Sequence, residues 1–139
     1  MNPDTIRQWM AKADHDLKIG KGELNSQEPA TDMICFHMQQ CVEKYLKAYC
    51  IFRDLEITKT HDITIILKDC LSADASFSVL LEKNIEMLTP YGTIIRYADD
   101  FYMPTIEETR EAVAMAEMVR NFVQEKLSVA GFDCDKNEK

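Results

Sequence analysis

The 139-residue sequence predicts an all-α fold, an antiparallel helical bundle of about five helices in one domain. Three observations carry this. Apolar residues recur at three- and four-residue spacing in successive segments, and no segment alternates over the length of a strand. The links between segments are short, which sets neighbouring helices antiparallel. Gly and Pro number only four each and fall mostly at segment ends. A chain of this length can enclose a core of its own. The expected boundaries are 1–131 for the bundle and 132–139 for a polar C-terminal tail.

The first helix opens at Pro3 or Asp4 and puts Ile6, Met10, Ala13 and Leu17 on one side, with Trp9 beside them. Gly20 and Gly22 are expected to end it. Asn25 to Pro29 form a polar turn that reverses the chain. The second helix runs from about Ala30 to Arg53 and is apolar over most of its circumference: Ile34, Met38, Cys41, Val42, Tyr45, Tyr49 and Phe52 share a broad side. Such a helix is central in its domain. Thr60 is expected to cap a third helix starting at His61, with Asp62 at its positive end and Ile63, Ile66, Leu67 and Leu71 as its buried stripe. Ser72 to Ser76 turn the chain into a fourth helix carrying Phe77, Leu80, Leu81, Ile85 and Leu88, which Thr89 and Pro90 restart or kink. After a loop over 98–104, Thr105 and Glu108 form a capping box that opens the last helix, with Val113, Ala116, Val119, Phe122, Val123 and Leu127 inward. Gly131 can stop it, and Asp133 to Lys139 are expected to fray.

The net charge of −8 is uneven: residues 1–60 carry eight Lys/Arg against nine Asp/Glu, and residues 61–139 carry eight against fifteen. An acidic chain opposes nonspecific nucleic-acid binding at long range, so any RNA or nucleotide contact must come from a local basic pocket. The five Cys contain no Cys-x-x-Cys pair, and three lie in the apolar second helix, where thiols act as small core hydrophobes. Neither a zinc site nor a disulfide framework is expected. With no membrane-length apolar run and no signal-peptide pattern, the expectation is a cytoplasmic protein with no membrane association. No Glu-x-x-His occurs, which removes a di-metal carboxylate site, and no Walker or dinucleotide loop is present. No cofactor is implied.

The far side of the second helix carries Gln40, Glu43, Lys44 and Lys47 together, with His37 at its border. A basic stripe edged by a His suits a phosphate-bearing ligand. A solvated face with Glu43 and Lys47 paired one turn apart explains the same residues.

The run from His37 to Ala48, with Gln39, Gln40, Glu43, Lys44, Leu46 and Lys47 at their places, resembles the signature helix of HEPN domains, small all-α proteins named for nucleotide binding. Trp9, Ala13, Asp16 and Leu17 resemble that family's first helix. Thr60, His61 and Asp62, followed by Ile63 and Leu67, resemble its Thr-His-Asp-Leu helix start. Arg96 and Tyr97, followed by an acidic loop, resemble its Arg-Tyr-Pro-Asp element. The likeness spans Ile6 to Leu127 and implies an up-and-down four-helix core. It also implies binding of a nucleotide or an RNA phosphate, a homodimer, and partnership with a small nucleotidyltransferase.

On that resemblance His37, Gln40, Glu43, Lys44, Lys47, His61, Arg96 and Tyr97 are ligand or pocket residues. Lys44, Lys47 and Arg96 would take phosphate, and Tyr97 would stack on a base. His61 would sit where a helix start offers free N–H groups. Each has a structural alternative: His61 as a cap, His37 as a histidine bonded to a neighbouring helix, Arg96 as the partner of Asp99 or Glu43. Many HEPN proteins are metal-independent RNases of toxin–antitoxin systems, with an Arg-x(4–6)-His motif completed across a dimer. Here the nearest pairs, Arg7 with His15 and Arg53 with His61, are each separated by seven residues. If the chain cleaves RNA, Arg53 and His61 are the pair expected to do it, since they bracket one helix junction. A non-catalytic interaction module is the third alternative, with Phe101, Tyr102 and Met103 as its exposed apolar loop.

Overall fold

The structure, a computed structural model, describes residues 2–92 and 102–135. Five α-helices form: α1 (Pro3–Leu24), α2 (Thr31–Phe52), α3 (Ile63–Ala73), α4 (Ser78–Glu82) and α5 (Ile106–Val129). Two 3-10 helices, Ala75–Phe77 and Ile85–Gly92, flank α4, and the described residues contain no strand. The all-α bundle is as the sequence predicts, with α2 at its centre: α1, α3, α5 and the Ile85–Gly92 segment all pack on it.

Asn2 opens α1 by accepting from the backbone N–H of Asp4 and Thr5. Contrary to expectation, α1 does not end at its glycines. A Cβ on Gly20 would lie 2.3 Å from the Met38 methyl carbon, so the missing side chain is what lets α1 lie close on α2. That packing outweighs the poor helix propensity of two glycines.

Asp16 meets His37 and Trp9 covers Lys47, so α1 and α2 are antiparallel. Cys35 meets Thr109 and Tyr45 meets Gln124, so α5 runs with α2. His61 lies at Glu43, Cys70 at Cys50 and Asp74 at Tyr49, so α3 also runs with α2. The connection from Arg53 to Asp62 explains this: it carries the chain back along α2 before α3 begins. Then α4 and the second 3-10 helix return from Phe77, stacked on Tyr49, to Gly92, against Gln39.

The start of α3 falls two residues later than Thr60 predicts. Asp62 is the N-cap, its Oδ1 accepting from Thr64 N at 2.9 Å, while Thr60 Oγ1 accepts from Asp62 N. Thr89 also serves α3, because its hydroxyl accepts from Ile63 N at 3.1 Å. It opens no helix of its own, and Pro90 lies inside the 3-10 helix. The break comes earlier, at Asn84, whose φ of 60° ends α4. The capping box of α5 forms as read: Thr105 and Glu108 bond each other's backbone N–H. Gly131, at φ 91°, turns the chain so that Phe132 packs edge-on against Phe52. Arg7 lies over the Phe132 ring and donates from Nε to Asp133 O.

Four of the five thiols, Cys35, Cys41, Cys50 and Cys70, are buried, and Cys134 is half-buried. Burial pushes Cys35 up to about 11 and raises Cys41 as well. No described helix is long and apolar enough to cross a membrane.

Candidate functional site

Two carboxylates organise the polar side of α2. Asp16, on the inner face of α1, places Oδ1 2.8 Å from His37 Nδ1 and Oδ2 2.6 Å from Lys44 Nζ. Glu43 places Oε1 2.9 Å from His61 Nδ1 and Oε2 3.1 Å from Lys47 Nζ. Gln39 joins the second set: its amide nitrogen donates to Glu43 Oε1 at 3.1 Å and to the His61 carbonyl at 3.0 Å. Its oxygen accepts from Gln40 Nε2 at 2.7 Å. Gly92 closes over that amide, where a Cβ would lie 2.8 Å from the amide carbon and oxygen.

The structure therefore brings His37, Gln40, Glu43, Lys44, Lys47 and His61 together on one arc of α2. The arc is walled by α1 on one side and by His61 and Gly92 on the other. The two lysines are not the open cations the sequence suggested. Lys47 is buried under Trp9, with its ammonium 5.8 Å from the ring centre, and it neutralises a buried glutamate. The Glu43–Lys47 pair exists, but as an enclosed pair rather than on a solvated face. Removing either partner would leave a charge stranded in a low-dielectric interior. Lys44 is likewise held by Asp16.

Arg53 bonds the Tyr49 hydroxyl at 2.8 Å, near the far end of α2. Ten residues of helix separate it from Glu43, about 15 Å along the axis. Arg53 and His61 are thus not brought together within the chain. Arg96, Tyr97 and Phe101 lie outside the described residues. Asp16 and Gln39 were not among the expected ligand residues. The signal for Asp16 was present: a carboxylate beside Leu17 on the apolar side of an amphipathic helix needs a partner on the facing helix.

The fixed charges of the arc, Asp16 and Glu43 against Lys44 and Lys47, cancel. What remains to meet a ligand is the second nitrogen of each imidazole. With Nδ1 committed to a carboxylate, Nε2 is left to donate when the ring is protonated and to accept when it is neutral. The His61 side chain is 60% exposed and that of His37 23% exposed. Both rings are oriented by anchored carboxylates, which suits anion binding or proton transfer.

A second polar cluster joins α1, α2 and α5. Asp14 Oδ1 accepts from the Tyr45 hydroxyl and from Arg120 Nε, the latter at 2.9 Å. Burial, then the contact with Asp14, raises the Tyr45 phenol. Gln124 Nε2 approaches the same hydroxyl at 3.5 Å. A groove of about 700 Å³ also runs between α1 and α2, lined in part by His15, Lys18, Ile19, Gly20, Met33 and His37. It borders the arc only through His37. Among the described residues, no group of three or more His, Cys, Asp or Glu is placed to hold a metal ion.

The comparisons with known proteins agree with this architecture. The family model described as HEPN domain matches residues 6–127. The crystal structure of an archaeal HEPN homologue is similar in fold, with a TM-score of 0.68 and 23% identity, over 88% of this chain and 97% of that one. No curated protein matches the sequence.

Proposed function

The chain belongs to the HEPN domain family, and on that premise we propose that it binds the phosphate of a nucleotide or of an RNA end at the polar arc of α2. The observation that carries this is the pair of imidazoles, His37 and His61, each fixed through Nδ1 to a carboxylate that also holds a lysine. A bundle core has no need of this arrangement, and it leaves two oriented Nε2 atoms on one edge. Phosphate oxygens accept from protonated imidazoles, and the Gln40 amide lies between the two. Because the arc's fixed charges cancel and the chain is acidic, binding is short-range and local rather than steered from a distance. Arg96 and Tyr97 join the site on the family resemblance alone, and a nucleotidyltransferase is the protein partner on the same ground.

A thermal-shift screen against mono-, di- and trinucleotides and short RNAs tests this. A ligand at a hundred times its dissociation constant adds about 2.7 kcal/mol of stability. His61 is exposed, so His61→Ala should leave the bundle folded and abolish the shift that the wild type shows. Binding that survives both His61→Ala and His37→Ala would remove the arc from the proposal.

The His61–Glu43 pair also favours a second reading, metal-independent RNA cleavage. A carboxylate-oriented imidazole can take the 2′-hydroxyl proton. Arg53, remote at Tyr49, is not its companion within one chain. Cleavage of a short RNA that persists in His61→Ala would end this alternative.

A further inference from the structure

We infer that the groove between α1 and the N-terminal half of α2 is a contact face between two copies of this chain. The inference is independent of the ligand reading and rests on three features of the groove.

The first is its lining. Ile19, Gly20, Ala30, Met33 and Ile34 form an aliphatic surface, and Ile19 and Met33 stand 56% and 44% exposed along it. The second is the scarcity of hydrogen-bonding groups that a polar ligand could use. Glu23 Oε2 already accepts from Ala30 N and the Ser26 hydroxyl, closing the turn between the helices. The backbone along both walls is helical and bonded within the helices. A nucleobase buried there would leave its polar edge unsatisfied, whereas aliphatic side chains of a protein would not.

The third is the order of charge along the groove. One end carries Lys18, with the imidazoles of His15 and His37, and the other carries Glu23 with the exposed Glu28 in the turn beyond it. Lys18 has no carboxylate partner among the described residues. A two-fold axis passing near Ile19 and Met33 sets the basic end of one copy against the acidic end of the other. The same patch then serves both copies, as an isologous interface requires. Two chains of charge −8 repel at long range, so association needs a locally matched face. This groove provides one.

Light scattering coupled to size exclusion, followed by sedimentation equilibrium on the full chain, tests the inference. A wild-type dimer is expected. Ile19→Glu and Met33→Glu, both at exposed positions, should each raise its dissociation constant at least tenfold with an unchanged helical spectrum. Lys18→Glu should weaken the dimer, and adding Glu23→Lys in the same chain should restore part of the loss. Because Glu23 also braces the turn, the swapped chain is compared at matched melting temperature, lowered equally in both arms if necessary. A wild-type chain that stays monomeric overturns the inference and gives the groove to another occupant. So does a dimer that neither Ile19→Glu nor Met33→Glu weakens, since its interface then lies elsewhere. Nucleotide binding measured on Met33→Glu separates the two readings: it is retained if the arc of α2 acts within one copy.

Discussion

The Glu43 cluster and the Asp14 cluster use the same chemistry on two sides of α2. Each sets a carboxylate between helices and surrounds it with donors. At Asp14 the donors are a tyrosine from α2 and an arginine from α5, and both are committed to holding the three long helices together. At Glu43 the donors are Gln39, Lys47 and His61, and the last of these keeps one nitrogen facing outward. A closed polar cluster fixes the fold. One that ends in an exposed imidazole can also act on something outside it. Burial alone does not separate the two cases; what separates them is whether a donor or acceptor is left over.

The most severe way to test that contrast is Glu43→Gln, which strands the Lys47 ammonium. Breaking a buried pair in this manner costs about 3–5 kcal/mol, so urea denaturation should show a large loss of stability together with weakened ligand binding. Tyr45→Phe removes one hydrogen bond to a charged acceptor at the other cluster. A stability loss of about 1.5–3 kcal/mol is expected, with ligand affinity unchanged. A change in affinity would show that the two clusters are coupled.

Gly92→Ala presses a methyl against the Gln39 amide, which cannot yield because both of its ends are bonded. Overpacking of this kind costs about 1–3 kcal/mol. The better readout is a change in the His61 imidazole resonances, which a merely structural glycine would not move. The smallest effect belongs to Asp74, far from both clusters. Hydrogen bonds from the Ser76 hydroxyl and backbone, with Lys126 nearby, hold its carboxyl down at about 2 against an ordinary 3.8. A depressed carboxyl stabilises the fold above the unfolded value and loses that contribution as pH falls through the folded one. The melting-temperature gap between the wild type and Asp74→Asn should therefore be constant above pH 4 and close as the pH approaches 2.

The sequence disclosed most of the fold because its signals are local. The α5 capping box needs only Thr105 and Glu108, and the centrality of α2 follows from its own apolar circumference. Errors arose where a distant residue decided the outcome. Gly20 continues a helix because Met38 receives it, and Thr89 caps a helix that starts 26 residues earlier in the chain. The same holds for the site. Periodicity put Gln40, Glu43, Lys44 and Lys47 on one arc correctly. It could not say that Asp16 would claim Lys44, or that Trp9 would roof Lys47. A helical arc rich in charge looks the same whether water or a partner helix covers it.

The placement of the cysteines makes the molecule its own strain gauge. With Cys35, Cys41 and Cys50 spaced along α2 and Cys70 facing them from α3, a thiol reagent in solution meets Cys134 first. It reaches the other four only when a stretch of the bundle opens. Their individual labelling rates, read by mass spectrometry on the unmodified chain, map which turns of α2 part from their neighbours and how often. The Cys35 site reports on the seam with α5, and the Cys50 site on the seam with α3.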